Sequence, residues 1–139
     1  SFQSHSTSNV NTMTQYAALA ALEGDDKPMR DMVAAFGRRR DKMLEMLDGY
    51  KSLGLDYVKP DGAFYVMLLC DKLYGKSFRG KKIHGSMDVA EMLLTHKKVA
   101  ATPGVCFGDD DAVRLSYALS TKDMIEGLEA IADFARECK

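Results

Sequence analysis

One arginine in this 139-residue chain stands where its charge has to be explained. Arg114 lies in Ala112-Val113-Arg114-Leu115-Ser116-Tyr117-Ala118-Leu119, which alternates with the two-residue period of a strand. Val113, Leu115, Tyr117 and Leu119 share one face, and Arg114, Ser116 and Ala118 share the other. An unpaired buried guanidinium costs roughly 3–5 kcal/mol, so Arg114 needs an anion or water. Its planar fork suits a carboxylate held by two parallel hydrogen bonds. From spacing alone, a structural ion pair or an edge strand with Arg114 in water is the more ordinary explanation.

Other candidates are weaker. Pro60-Asp61-Gly62-Ala63 and Pro103-Gly104-Val105-Cys106-Phe107-Gly108 could bring backbone close to a ligand, but most such turns only reverse the chain. Neither matches the glycine patterns that cradle phosphates. Tyr65 and Tyr117 could move protons, yet strand tyrosines are usually packing residues with a tethered hydroxyl. The nine methionines fall on helical stripes and read as core. Three scattered histidines and three unpaired cysteines, Cys70, Cys106 and Cys138, make neither a metal site nor a disulfide framework. No nucleophile–base–orienter triad and no carboxylate pair can be assembled, so no catalytic residue is expected within the chain.

Bulk properties set the class. The length is that of one domain. Hydrophobic residues make up 46% and charged residues 28%, an ordinary globular composition. A net charge of -1 gives no reason to expect nucleic acid or an anionic membrane as partner. The run Arg38, Arg39 and Arg40 carries Asp41 and Glu45 beside it and reads as a solvated helix face. With an odd cysteine count, no long apolar stretch and no signal peptide, the expected location is the cytoplasm.

The elements that must place Arg114 follow from periodicity. Met13, Tyr16, Ala17, Ala20 and Ala21 predict a helix from Asn9, ended by Gly24 in a left-handed cap. Asp25, Asp26 and Pro28 restart the chain into a long helix carrying Met32, Val33, Phe36, Met43, Leu44, Leu47 and Tyr50, stopped by Gly54. Such a helix is long enough to bridge two bodies. Ala63 to Leu69 predicts a buried strand, residues 71–85 a surface loop, and Ser86 the cap of a short helix. Val99 to Thr102 predicts a further strand, and Ser120-Thr121-Lys122-Asp123 opens a final helix with Ile125, Leu128, Ile131, Ala132 and Ala135 in register. The expected fold class is α+β, a short sheet covered by helices with a long leading helix.

Three segments taken together carry more than any one alone. They are Pro60-Asp61-Gly62-Ala63-Phe64-Tyr65-Val66, then Val99 through Gly108, then Val113-Arg114-Leu115-Ser116-Tyr117-Ala118. In order and spacing they resemble the carboxy-terminal signature of class I/II aminotransferases, the aspartate aminotransferase family of fold type I. Ser6-Thr7-Ser8-Asn9 followed by Thr14-Gln15-Tyr16-Ala17-Ala18 resembles the segment after that family's cofactor lysine region. The resemblance covers essentially the whole chain.

It implies a set of expectations. Residues 1–24 would end the large-domain segment and 25–139 would be the small carboxy-terminal domain. Arg114 would bind the substrate α-carboxylate. Ser8 would lie near the phosphate of pyridoxal 5'-phosphate bound by the neighbouring subunit of a homodimer. Ser4 stands where one branch of the family places an arginine for a distal carboxylate, so a dicarboxylate would need recognition from elsewhere. Nothing here resembles the stretch around the family's Schiff-base lysine; Lys27, Lys59 and Lys122 lie in other contexts. The chain alone should therefore be inactive, and the full-length enzyme should transfer amino groups from aspartate to 2-oxoglutarate. An alanine or aromatic aminotransferase, a lyase on the same fold, or the ligand-sensing domain of a transcription regulator would share the carboxylate arginine. Apolar surface that normally meets the protein's own large domain should be exposed, favouring self-association.

Overall fold

The computed structural model describes residues 9–139. They divide into two units, 9–35 and 36–139, with the division falling inside a helix.

In the first unit, helix α1 (Thr12–Glu23) starts at Asn11, whose Oδ1 accepts from the Met13 N–H at 2.9 Å. That satisfies one of the donors every helix start leaves orphaned. No residue of α1 is buried, and Met13, Tyr16, Leu19 and Leu22 are open to solvent. Gly24 is extended, with φ -79° and ψ 179°, rather than left-handed as its position predicts. The chain has to leave α1 extended because Asp25 caps the next helix, accepting from the Lys27 N–H at 2.9 Å. Glycine is still required there, since an added methyl would sit 2.7 Å from the Ala20 carbonyl oxygen. Helix α2 (Lys27–Asp48) follows with Pro28 in its first turn, as its φ favours.

In the second unit, the last turns of α2 bury Met43, Leu44 and Leu47. The long helix ends at Asp48, short of the stop expected at Gly54; a separate 3₁₀ turn (Lys51–Leu53) follows and ends at Gly54, which is left-handed with φ 86°. The strands are β1 (Asp56–Val58), β2 (Tyr65–Leu69), β3 (Ser77–Phe78), β4 (Lys81–Lys82), β5 (Thr102–Pro103) and β6 (Ala112–Ser116). Four of them form an antiparallel sheet in the order β1-β2-β6-β5, and β3 pairs with β4 separately. Helix α3 (Ser86–Met92) runs into a π-helical turn (Leu93–Lys97), and α4 (Thr121–Glu137) closes the chain. One sheet face, Val66, Leu68, Val113 and Leu115, shares a core with Leu47, Met92, Leu93, Leu128 and Ile131 from the helices. Each buried leucine or isoleucine contributes about 1.5–3 kcal/mol by leaving water. The fold is α+β.

Three local expectations are corrected. Residues 71–85 are no mere surface loop, because Leu73, Phe78 and Ile83 are buried in the core. Alternation is too short there for a sequence pattern to register. Ser86 does not cap α3; Gly85 holds the cap position, and the buried Ser86 hydroxyl donates to Asp110 Oδ1 at 2.6 Å. The strand expected at Val99–Thr102 shrinks to β5, because the Val99 N–H donates to the Leu93 carbonyl at 3.2 Å and finishes the helix instead. The start of α4 matches its sequence, with Ser120 Oγ accepting from the Asp123 N–H at 3.1 Å.

Candidate functional site

Arg114 occupies an inner strand of the sheet, opposite Met67 of β2 on one side and Thr102 of β5 on the other. The pleat sends Val113 and Leu115 into the core and turns Arg114 and Ser116 to the open face. Two aromatic rings flank the guanidinium. Its Cζ lies over the Tyr65 ring and over the Phe107 ring, 4.2 Å from each centroid. Tyr65 comes from β2, one diagonal step along the same face. Phe107 comes from the 3₁₀ turn Gly104–Phe107. Among the described residues no carboxylate lies within ion-pair reach of Arg114 and no hydrogen bond engages it. No buried side-chain nitrogen or oxygen among them lacks a partner, so the guanidinium donors are open to solvent. A cation held by its faces, with its edge donors free, is shaped to receive an anion.

The turn that carries Phe107 is anchored from beneath. At Gly104 an added Cβ would run into the carbonyl oxygens of Asp109 and Ala112, and Gly108 leaves the turn with φ 84°. Asp110 Oδ1 accepts from the Ser86 N–H at 3.0 Å as well as from its hydroxyl, and Ser86 Oγ accepts from the Val105 N–H at 3.2 Å. The Tyr74 hydroxyl donates to the Asp110 carbonyl. The Ser86 hydroxyl and then its N–H hold the Asp110 carboxyl below the usual aspartate range. Its stabilising bonds are complete above an ordinary carboxylate pKa of about 3.9 and are lost as pH falls through the lowered value. Asp110→Asn is therefore expected to lower the urea midpoint at neutral pH, with the gap to wild type closing on acidification below about pH 4. Midpoints measured from pH 7 to pH 3 check this; a gap constant across that range contradicts it.

Tyr117 packs rather than reacts: it is 2% exposed and its hydroxyl donates to the Ala63 carbonyl at 3.0 Å. With the Tyr117 N–H bonded to the Phe64 carbonyl, this holds Ala63 in the left-handed region, φ 57°, where a non-glycine residue is uncommon. Burial pushes the Cys70 thiol up to about 11, leaving it an inert core group.

The aminotransferase class I and II family model matches residues 1–131. The chain belongs to that family. The aspartate aminotransferase of Streptomyces avermitilis is 40% identical over 137 residues, covering 99% of this chain and 33% of that protein. A probable aspartate/prephenate aminotransferase of Aquifex aeolicus is 41% identical over 133 residues, covering 94% of this chain and 32% of the relative. The crystal structure of the aspartate aminotransferase from Rhizobium meliloti superimposes with a TM-score of 0.90 at 34% identity, covering 99% of this chain and 34% of that one. The chain spans about a third of the length of the curated relatives it matches.

Of the residues singled out by sequence in this aminotransferase-family chain, Arg114 and Tyr65 come together, while Ser4 and Ser8 lie outside the described residues. Phe107 was missed as a partner of Arg114. Its only signal is an aromatic residue in a glycine-bounded turn, which says nothing about what lies across the sheet.

Proposed function

We propose that this chain is the carboxy-terminal part of a pyridoxal-phosphate aminotransferase, in which 1–24 ends the large-domain segment and 25–139 forms the small domain. The reaction is amino-group transfer from aspartate to a 2-oxo acid, 2-oxoglutarate first. Arg114 binds the α-carboxylate that donor and acceptor share. The observation that carries this reading is a guanidinium seated on two aromatic rings with no carboxylate partner among the described residues. It is supported by family membership and by relatives whose names specify aspartate.

The described residues offer no seat for the cofactor itself. None of their lysines is buried, and Lys27, Lys51, Lys81, Lys97 and Lys122 are engaged in surface ion pairs. Pyridoxal phosphate, where bound, supplies the electron sink for the chemistry at the amino carbon. Its attachment belongs to the remainder of the protein, with Ser8 proposed to approach the phosphate bound by the partner subunit of a cytoplasmic homodimer. This chain's share is to grip the carboxylate, fix the substrate's orientation and exclude water around it. Alone it is inactive.

The test is amino-acid-to-2-oxo-acid exchange by the full-length protein supplied with pyridoxal phosphate, over a donor panel led by aspartate and acceptors including 2-oxoglutarate and prephenate. Turnover that consumes aspartate and stops without an acceptor supports the proposal. Cofactor binding with no exchange on any donor sinks it, in favour of a lyase or a ligand-sensing regulator on the same fold.

A further inference from the structure

Arg114 is held from both the sheet and a turn, and the turn's contribution is the less obvious one. Phe107 is 51% exposed, so little of the fold's apolar burial rests on it. Its ring nonetheless lies as close to the guanidinium as the half-buried Tyr65 does, 4.2 Å from Cζ. The turn beneath it is braced by the Asp110–Ser86–Val105 hydrogen bonds and by the backbone contact only Gly104 permits. A braced turn presenting a half-exposed aromatic to a cation with no carboxylate partner among the described residues is costly to build for surface decoration. We propose that Phe107 is a positioning residue for carboxylate binding: with Tyr65 it occupies the guanidinium by cation–π attraction, so that the paired N–H donors stay aimed outward at the substrate.

This rests on the assignment of Arg114 to the substrate carboxylate. Held this way, the arginine needs no carboxylate to keep its place, and none of the carboxylates among the described residues competes with the ligand. The attraction depends on the negative face of an aromatic ring, which leucine lacks and tyrosine keeps. Because the carboxylate is bound before and during reaction alike, losing the ring should raise KM and leave kcat nearly untouched.

The experiment compares Phe107→Leu, Phe107→Tyr and Arg114→Lys in the full-length enzyme loaded with its cofactor. Steady-state kinetics on aspartate is read beside calorimetric binding of maleate, a dicarboxylate with no amino group to transfer. Phe107→Leu is expected to raise KM and the maleate Kd by about 3- to 30-fold, with kcat within about twofold and the urea midpoint unchanged. Phe107→Tyr should restore wild-type values. Leucine and tyrosine variants that behave alike, or a fall in kcat at constant KM, overturn the role of Phe107. Arg114→Lys with unaltered KM and maleate binding removes the parent assignment instead, so the two failures are separable.

Discussion

Arg114→Lys in the full-length enzyme is expected to lower kcat/KM by about 30- to 5,000-fold, the equivalent of roughly 2–5 kcal/mol. Lysine keeps the charge but replaces a planar fork by a compact, strongly hydrated ammonium. One of two parallel hydrogen bonds to a carboxylate is lost, and the remaining one loses its fixed direction. Lysine also sits less well on Tyr65 and Phe107, whose ring centroids lie 4.2 Å from the guanidinium carbon. Stability should change little, because no carboxylate among the described residues pairs with Arg114 and the fold therefore loses no ion pair. That separates the proposed role from the ordinary alternative: a structural salt bridge would show its loss in the unfolding midpoint and leave catalysis intact. The check is kcat/KM over the donor panel beside urea unfolding of the same variant. An unchanged kcat/KM would end the assignment.

The largest effect on stability should come from the core between α4 and the β3–β4 hairpin. Phe134 in α4 is 1% exposed, and its ring centroid lies 4.8 Å from that of the equally buried Phe78 in β3. The carboxy-terminal backbone is tied to the same hairpin, with Ser77 N–H donating to the Lys139 carbonyl at 2.7 Å and Lys139 N–H returning to Ser77 at 3.0 Å. Phe134→Ala removes the transfer energy of the ring and opens a cavity between α4 and the β3–β4 hairpin that rigid neighbours fill only partly. The expected cost is about 3–5 kcal/mol. In urea the midpoint should fall with an unchanged slope, since the unfolded chain exposes nearly the same surface. A loss below about 1 kcal/mol would mean that the hairpin collapses onto the space and that this part of the core is loosely packed.

Much of the architecture was legible because it depends on near neighbours in the chain. The alternation through Val113, Leu115 and Tyr117 places β6 and its buried face, since pleating obeys a period of two wherever the strand lies. Gly54 as a chain-stopping glycine and Ser120 as the cap of α4 rest on hydrogen bonds within a few residues. The family was legible too, in four segments whose order and spacing together are far more specific than any one of them. Arg114 stood out as a charge in an apolar strand.

What the sequence could not determine is everything that joins residues far apart in the chain. Ser86 has the chemistry of a helix cap, but its hydroxyl answers to Asp110, 24 positions away. Gly24 has the place of a left-handed cap, yet the chain must leave α1 extended for Asp25 to cap the next helix. Residues 71–85 look polar along the chain, and only the meeting of β3 with α4 makes Phe78 a core residue. That Arg114 lies over Phe107 and Tyr65 rather than beside an aspartate was decided by the sheet register and by the turn at Gly104. Local hydrogen bonding and periodicity are written in neighbouring residues; the partner of a charge is set by where the backbone returns, which only the packed core determines.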